Sequence, residues 1–313
     1  MTLNQLRTFL AVVDTGSVRA AAERLIVSQP AVSGAVASLE RELGVELVAR
    51  DGRGLRVTSA GAAFAASARA GLARIDHGVR AARSTDEPGR GTVRIAAVTT
   101  AAERVLLPLL AGFRGDHPHA DVAVRVGNRA TVWDALRRHD ADLVVAGRPP
   151  AALEAHILGR RANRLVVVGP PRVHATRSRQ AMLSELAALT WLLREEGSGT
   201  REASDELLAR LDLEPPRMVL GSNGAVEEAA VNGFGVALIS LDAVRSRIAA
   251  GELAVYGCPD TPLERPWHLV ASGDVTLTPT AALAACSLLG PEAGFTPTAQ
   301  GRRVARTGDL GGG

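Results

Sequence analysis

The stretch Ser17-Val18-Arg19-Ala20-Ala21-Ala22-Glu23-Arg24-Leu25-Ile26-Val27-Ser28-Gln29-Pro30-Ala31-Val32-Ser33 holds two helix starts separated by one tight break. Ser17 is a good N-cap, because its hydroxyl can accept from an unpaired first-turn N–H. Ala21, Ala22 and Leu25 then share one face of a short helix. Ser28 is a second cap, and Pro30 suits the first turn of the next helix, where its missing N–H is no loss. Val32, Val36, Leu39 and Leu43 continue that helix on one face, and Gly44 ends it. Upstream, Leu3, Leu6, Leu10 and Val13 form another helical stripe, widened by Phe9 and stopped at Asp14-Thr15-Gly16. Downstream, short strands at residues 46–50 and 55–58 flank Asp51-Gly52-Arg53-Gly54, which is hairpin-turn chemistry. Helix, helix, turn, helix and hairpin is a winged helix-turn-helix, assigned to residues 1–58.

Burying the stripe of the third helix turns Gln29, Ser33, Gly34, Ala37, Ser38 and Arg41 outward. Pro30 and Ala31 stand beside them at the helix start. Such a face enters a major groove: Gln bonds adenine edges, and Ala meets a thymine methyl. Arg50, Arg53 and Arg56 in the wing suit phosphates, as do Ser28 and Ser33, with Ser17, Arg19 and Thr58 at neighbouring helix starts. The expected partner is double-stranded DNA.

The run from Ser17 to Ser33, then Ser38-Leu39-Glu40, Leu43-Gly44, Leu47, Arg50, Arg53, Thr58 and Gly61, closely resembles the LysR-type transcriptional regulators. One position departs: the bulky aromatic expected before the wing arginine is Val48-Ala49 here. The resemblance continues more loosely to about residue 290, through Pro108, Phe113, Pro118, Gly127, Gly197-Ser198-Gly199-Thr200-Arg201, Gly233-Phe234-Gly235 and Ser240. It implies a bacterial regulator of promoter DNA, not an enzyme. It also implies dimers or tetramers joined by a linker helix, interrupted palindromic sites and compatibility with an RNA polymerase contact.

The linker itself is legible. Thr58 caps a helix expected over residues 59–84, with Phe64, Ala68, Leu72, Ile75, Val79 and Ala82 nearly in heptad register. The Pro, Gly and charges of residues 85–91 then make a hinge, so residues 59–90 form a linker and dimerisation segment.

From Thr92 apolar strands alternate with helical patterns, so an α/β body with a parallel sheet is expected. With the resemblance, the fold class is a winged helix-turn-helix, a long linker helix, and a two-subdomain periplasmic-binding-protein-like (type 2) α/β effector domain over residues 91–290. Subdomain I is placed at about 91–162 and 268–290, and subdomain II at about 163–267. Residues 291–313, ending in three glycines, are expected to be a flexible tail.

Ligands of open α/β sheets lie beyond the carboxyl ends of strands, at helix N-termini. Thr99, Thr100, Asn128, Arg129, Ser198, Gly199, Thr200, Arg201, Asn223 and Gly224 all fall at such places. Hydroxyls, N–H groups and guanidinium favour a small anionic metabolite, a carboxylate or phosphate ester, as co-inducer. No cofactor is expected beyond this ligand.

Other signals are weaker. His117-Pro118-His119 has no third metal ligand nearby, and Ser198 has no evident histidine base, so neither a metal nor a catalytic residue is assigned. Gly197-x-Gly199 and Gly233-x-Gly235 are too short for a dinucleotide fingerprint. Trp133, Trp191 and Trp267 are expected in cores. Cys258 and Cys286 stand alone, Cys258 reading as a structural thiol.

The composition agrees. The 313 residues carry 36 basic groups, every one arginine, against 33 acidic. Residues 1–60 are net +1, residues 61–94 net +3, and the remainder net −1. In the first module Glu40, Glu42 and Glu46 offset the arginines, so geometry rather than bulk charge must select DNA. No apolar run approaches the roughly 18 residues of a membrane span, and no secretory leader is apparent, so a cytoplasmic location is expected. The competing classes are an enzyme on a similar two-subdomain scaffold, and an architectural DNA-binding protein whose body only oligomerises.

Overall fold

The computed structural model describes residues 1–51, 54–171, 178–290 and 294–307. The chain forms two compact units, meeting between Val79 and Arg80.

In the first unit α1 (Leu3–Thr15) begins with a capping box between Thr2 and Gln5 and ends at Gly16, φ 65°. Helix α2 (Val18–Leu25) is capped by Ser17, and α3 (Gln29–Leu43) by Ser28. Phe9, Val12, Ala21, Val32, Leu39 and Leu47 are wholly buried between them. Strands β1 (Val48–Asp51) and β2 (Gly54–Val57) pair antiparallel, Val48 opposite Val57. The carboxylate of Glu40 ties this wing to α3, accepting from the N–H groups of Leu47 at 2.8 Å and Val48 at 3.1 Å. So Glu40 is a structural anchor as well as a counter-charge. Thr58 caps α4 (Ser59–Ser84) through Gly61 N–H at 2.9 Å, while its hydroxyl donates to Glu46 O at 2.8 Å. At Gly61 a Cβ would lie 2.0 Å from Leu47 O.

The heptad-like stripe of α4 divides between uses. Ala68 and Leu72 are buried in the first unit, and Phe64 meets Phe9 with ring centroids 5.8 Å apart. Ile75 and Val79, by contrast, are 44% and 43% exposed.

Helix α2 ends at Ile26, whose φ is 57°. A β-branched residue is a poor occupant of the left-handed region, and this side chain is 92% exposed, so it gains no packing in return. Ile26→Asn should therefore raise stability by about 1 kcal/mol, read as a higher urea midpoint with unchanged slope.

The second unit begins with the last residues of α4 and a 3-10 turn (Pro88–Arg90). It continues with β3 (Thr92–Val98), α5 (Thr99–Ala101), a π-type turn (Ala102–Leu106), α6 (Leu107–Asp116), β4 (Asp121–Gly127), α7 (Arg129–Arg137), β5 (Leu143–Ala146) and β6 (Ala155–Arg161). After it come β7 (Arg164–Gly169), α8 (Arg179–Ala188), β8 (Trp191–Arg194), α9 (Gly199–Arg210), β9 (Arg217–Leu220), α10 (Asn223–Val231), β10 (Ala237–Ser240), α11 (Leu241–Ala249), β11 (Ala254–Val255) and β12 (Leu263–Glu264). The chain then returns through β13 (Trp267–Ser272), α12 (Pro279–Leu288), β14 (Thr296–Pro297) and α13 (Ala299–Thr307).

One sheet has the order β14-β6-β13-β5-β3-β4. Strands β7, β10, β11 and β12 form a second, and β8 pairs with β9. The expected parallel sheet is only partly found. Strand β3 is parallel to β4 and β5, and β8 to β9. Strand β13 is antiparallel to β5 and β6, and β7 to all its partners. The reason is topological. The chain leaves one subdomain through β6 and returns through β13 at the same hinge, so the two must run oppositely. Asn163 fixes this crossing: its side-chain amide donates to Arg265 O at 2.8 Å, and its own carbonyl accepts from Arg265 N–H at 2.9 Å.

Trp133 and Trp191 are almost wholly buried, and Trp267 is 8% exposed. Asp142 is a buried charge, its side chain 1% exposed. It accepts from the guanidinium groups of Arg80 and Arg94, both at 3.1 Å, and from Arg94 N–H at 2.9 Å.

The flexible-tail reading of residues 291–313 is corrected for residues 294–307. Strand β14 pairs with β6, Phe295 and Val304 are buried, and Thr298 donates to Leu158 O at 3.1 Å. At Gly301 a Cβ would lie 1.9 Å from Leu158 O, so that glycine lets α13 lie against β6. Two apolar anchors among arginines and glycines were too sparse a pattern to read as structure.

Candidate functional site

On the first unit, Gln29, Pro30, Ala31, Ser33, Gly34 and Ala37 are all exposed on α3. They make one open face of small and hydrogen-bonding groups. Arg19 and Arg56 are also exposed, Arg19 paired with Glu23 at 3.0 Å. Other assigned residues turn inward. Ser38 is half-buried and accepts from Gln5 Nε2 at 3.1 Å, and Thr58 is committed to capping. Thr58, whose hydroxyl both donates and accepts inside the unit, is corrected from a DNA contact to an internal support, while Ser38 supports α1 from the same helix that carries the exposed face. Ser17 and Ser28 accept from Ala20 and Ala31 N–H at 3.4 and 3.3 Å, holding the two helix starts. Arg53 lies outside the described residues, as does the side chain of Arg50.

On the second unit a cleft of about 590 Å³ lies between the subdomains, a normal size for a small-molecule site. Thr99, Thr100, Asn128, Arg129, Ser198, Gly199, Thr200 and Asn223 line it. Each sits where a strand gives way to a helix. Asn128 caps α7, accepting from Thr131 N–H at 3.0 Å. Ser198 is the N-cap residue of α9, yet its hydroxyl makes no capping bond. That hydroxyl and the first N–H groups of α9 are therefore available to an anion.

Arg201 and Gly224 are not in the cleft lining. Arg201 bonds Asp205 Oδ2 at 2.7 Å and Arg194 O at 3.1 Å, so its guanidinium braces α9. Gly224 is an exposed position of α10. Both assignments are corrected. For Arg201 the reason is helical direction: successive residues project about 100° apart around a helix, so Arg201 leaves the face that carries Thr200.

The buried cation of the cleft is Arg194, 7% exposed. It bonds both oxygens of Glu195, at 2.7 and 2.9 Å, and also Asn223 Oδ1. Burial pushes the Glu195 carboxyl up, but the hydrogen bond and charge of Arg194 outweigh it and hold the group below its ordinary value. Asn223 Nδ2 donates to Thr100 Oγ1 at 2.8 Å, crossing from one subdomain to the other. Ala130 N–H to Gly197 O at 3.1 Å, Arg129 to Glu202 at 3.3 Å and Asn128 to Glu195 at 3.4 Å also cross.

Sequence reasoning missed Arg148, Arg160, Asn163, Arg194 and His268, which all line the cleft. Arg194 was visible as the charge ending Trp191-Leu192-Leu193, at the strand end where ligands bind. Arg160 sits on β6, a strand whose Gly159-Arg160-Arg161 end obscures the apolar alternation.

The two cysteines offer little chemistry. Cys258 is 7% exposed, and burial, then the Asp260 charge, push its thiol up to about 11. At neutral pH it should carry roughly 100-fold less thiolate than an ordinary cysteine. Iodoacetamide should label Cys258 in the native protein at least that much more slowly than after unfolding. Equal rates would contradict this.

Comparison with known proteins agrees with both units. Residues 3–62 match the family described as "Bacterial regulatory helix-turn-helix protein, lysR family", and residues 86–288 match "LysR substrate binding domain". The chain belongs to the LysR family: it is a DNA-binding transcriptional regulator with an effector-binding domain, and not an enzyme. It is 32% identical to the HTH-type transcriptional regulator CfxR of Cupriavidus necator, over 89% of this chain and 88% of CfxR. Its fold matches full-length CbnR complexed with its target DNA, with a TM-score of 0.63, 22% identity, and coverage of 97% of this chain and 100% of that one. The Synechocystis PCC6803 CcmR regulatory domain, solved with 2-PG, matches with a TM-score of 0.53 and 27% identity, covering 59% of this chain and 88% of that one. Among the described residues, no helix is long and apolar enough to cross a membrane.

Proposed function

We propose that this regulator reads promoter DNA through Gln29 and Ser33 on α3, under control of a small anion held at Thr99, Thr100, Ser198, Gly199 and Thr200. The observation that carries the ligand reading is Ser198: buried, in the cleft, at a helix N-terminus, with its hydroxyl making no cap bond. The 2-PG held by the CcmR regulatory domain supports a small-molecule effector here. Such an effector acts only by binding two arrangements of the subdomains unequally. Exposed Ile75 and Val79 on α4 support pairing of two chains, as a homodimer or a homotetramer. Two paired modules then suit interrupted palindromic half-sites. A contact with RNA polymerase and a cytoplasmic location complete the reading.

Gel shifts on the native upstream region test the DNA part. Gln29→Ala should reduce discrimination between the site and random DNA by roughly 5- to 150-fold, the range of one bidentate base contact. Arg56→Gln should weaken all sequences alike and lower the salt slope by about one. Wild-type binding no tighter than to random DNA would overturn the reading. A thermal-shift panel of carboxylates and phosphate esters tests the ligand part, with loss of the shift in Ser198→Ala expected.

A further inference from the structure

We propose that the cleft carries a second anion-binding pole, formed by Arg148, Arg160 and His268, so that its effector bears two separated anionic groups. This rests on the anionic reading of the cleft given above.

Strand register brings the three residues together. His268 on β13 lies directly opposite Arg160 on β6 and opposite Ala146 on β5. Cross-strand partners share one face of a sheet, with Cβ atoms about 5 Å apart. Arg148 follows Ala146 by two residues, just beyond the end of β5, and all three residues line the cleft.

The charges are unbalanced at this end. The other arginines of the lining have acidic partners: Arg129 pairs with Glu202, Arg194 with Glu195 and Arg265 with Glu206. Among the described residues the Arg148 and Arg160 guanidiniums have no such partner, and Glu264 is the nearby lining carboxylate left without one. His268 is 5% exposed, and its Nδ1 is buried with no hydrogen-bond partner among the described residues. Burial, then the charges of Arg160 and Arg148, hold its imidazole below the ordinary value, against the pull of the Gly147 and Pro266 carbonyls. Two unpaired guanidiniums beside a buried imidazole suit a phosphate or carboxylate. A cleft of about 590 Å³ also exceeds what one such group fills.

Calorimetric titration of the full chain with methylphosphonate, then with bisphosphonates joined by one to four methylenes, tests the proposal. One linker length should bind at least 10-fold tighter than methylphosphonate. Arg148→Gln and Arg160→Gln, both at exposed side chains that folding does not need, should each remove most of that gain. Both should weaken methylphosphonate far less than the preferred bisphosphonate, because a single group keeps the Ser198 pole, while Ser198→Ala weakens both ligand types. Methylphosphonate bound normally with no bisphosphonate tighter would overturn the second pole and leave the anionic reading standing. A linker preference untouched by either arginine substitution would also overturn it. Binding of neither ligand type would overturn both.

Discussion

Asp142→Ala should lower the stability of the effector-binding unit by about 3–5 kcal/mol, the usual result of removing one partner of a buried ion pair. The carboxylate is buried, and three donors converge on it from Arg80 and Arg94. Truncation leaves two guanidiniums and one main-chain N–H facing an empty pocket. Arg94 retains its bond to His139 O at 2.5 Å, and both guanidiniums keep some contact with water. The loss should therefore fall at the lower end, a drop of roughly 10 °C in melting midpoint for a unit of this size. Thermal unfolding followed by circular dichroism measures it. A loss below about 1 kcal/mol would mean that the arginines relax fully into solvent.

Gly61→Ala should cost the DNA-binding unit about 3 kcal/mol or more. Its Cβ would lie 2.0 Å from Leu47 O, a backbone atom that also receives Thr58 N–H at 3.0 Å. No rotamer relieves that clash, so the start of α4 must move and its cap is lost. Gly71, in the same helix, faces open space, and Gly71→Ala should instead gain about 0.5–1 kcal/mol. Urea unfolding and DNA affinity of the two variants should diverge in sign. Equal behaviour would exclude the clash at residue 61.

The winged module was legible because its signals are local. Ser17, Ser28, Pro30, Gly16 and Gly44 act within one turn of themselves, and the Val32–Val36–Leu39 stripe needs only the helical period. The cleft was legible where the rule was positional, as at Thr100, Ser198 and Asn223. It failed where side-chain direction decides, as at Arg201, which lies at the right helix end but leans away. It also failed where partners are distant in sequence. Arg160 and His268 are 108 positions apart, and only the β6–β13 register joins them. The mixed sheet was missed for the same reason, since strand direction follows from where the chain crosses back.

The bonds that cross the cleft carry a mechanical meaning. Asn223–Thr100, Ala130–Gly197, Arg129–Glu202 and Asn128–Glu195 are polar links whose groups water can satisfy when the subdomains part. The two neutral exchanges cost only about 0.5–1.5 kcal/mol net each, and the part-exposed Arg129–Glu202 pair about 1 kcal/mol or less, unlike the separation of an apolar seam. The charge pair that is hardest to strip from water, Arg194 with Glu195, lies wholly on one side and travels intact. The unit is thus held lightly at its jaw and stiffly in its two halves, and under the proposed reading a small solute bound there would need little free energy to shift one half against the other.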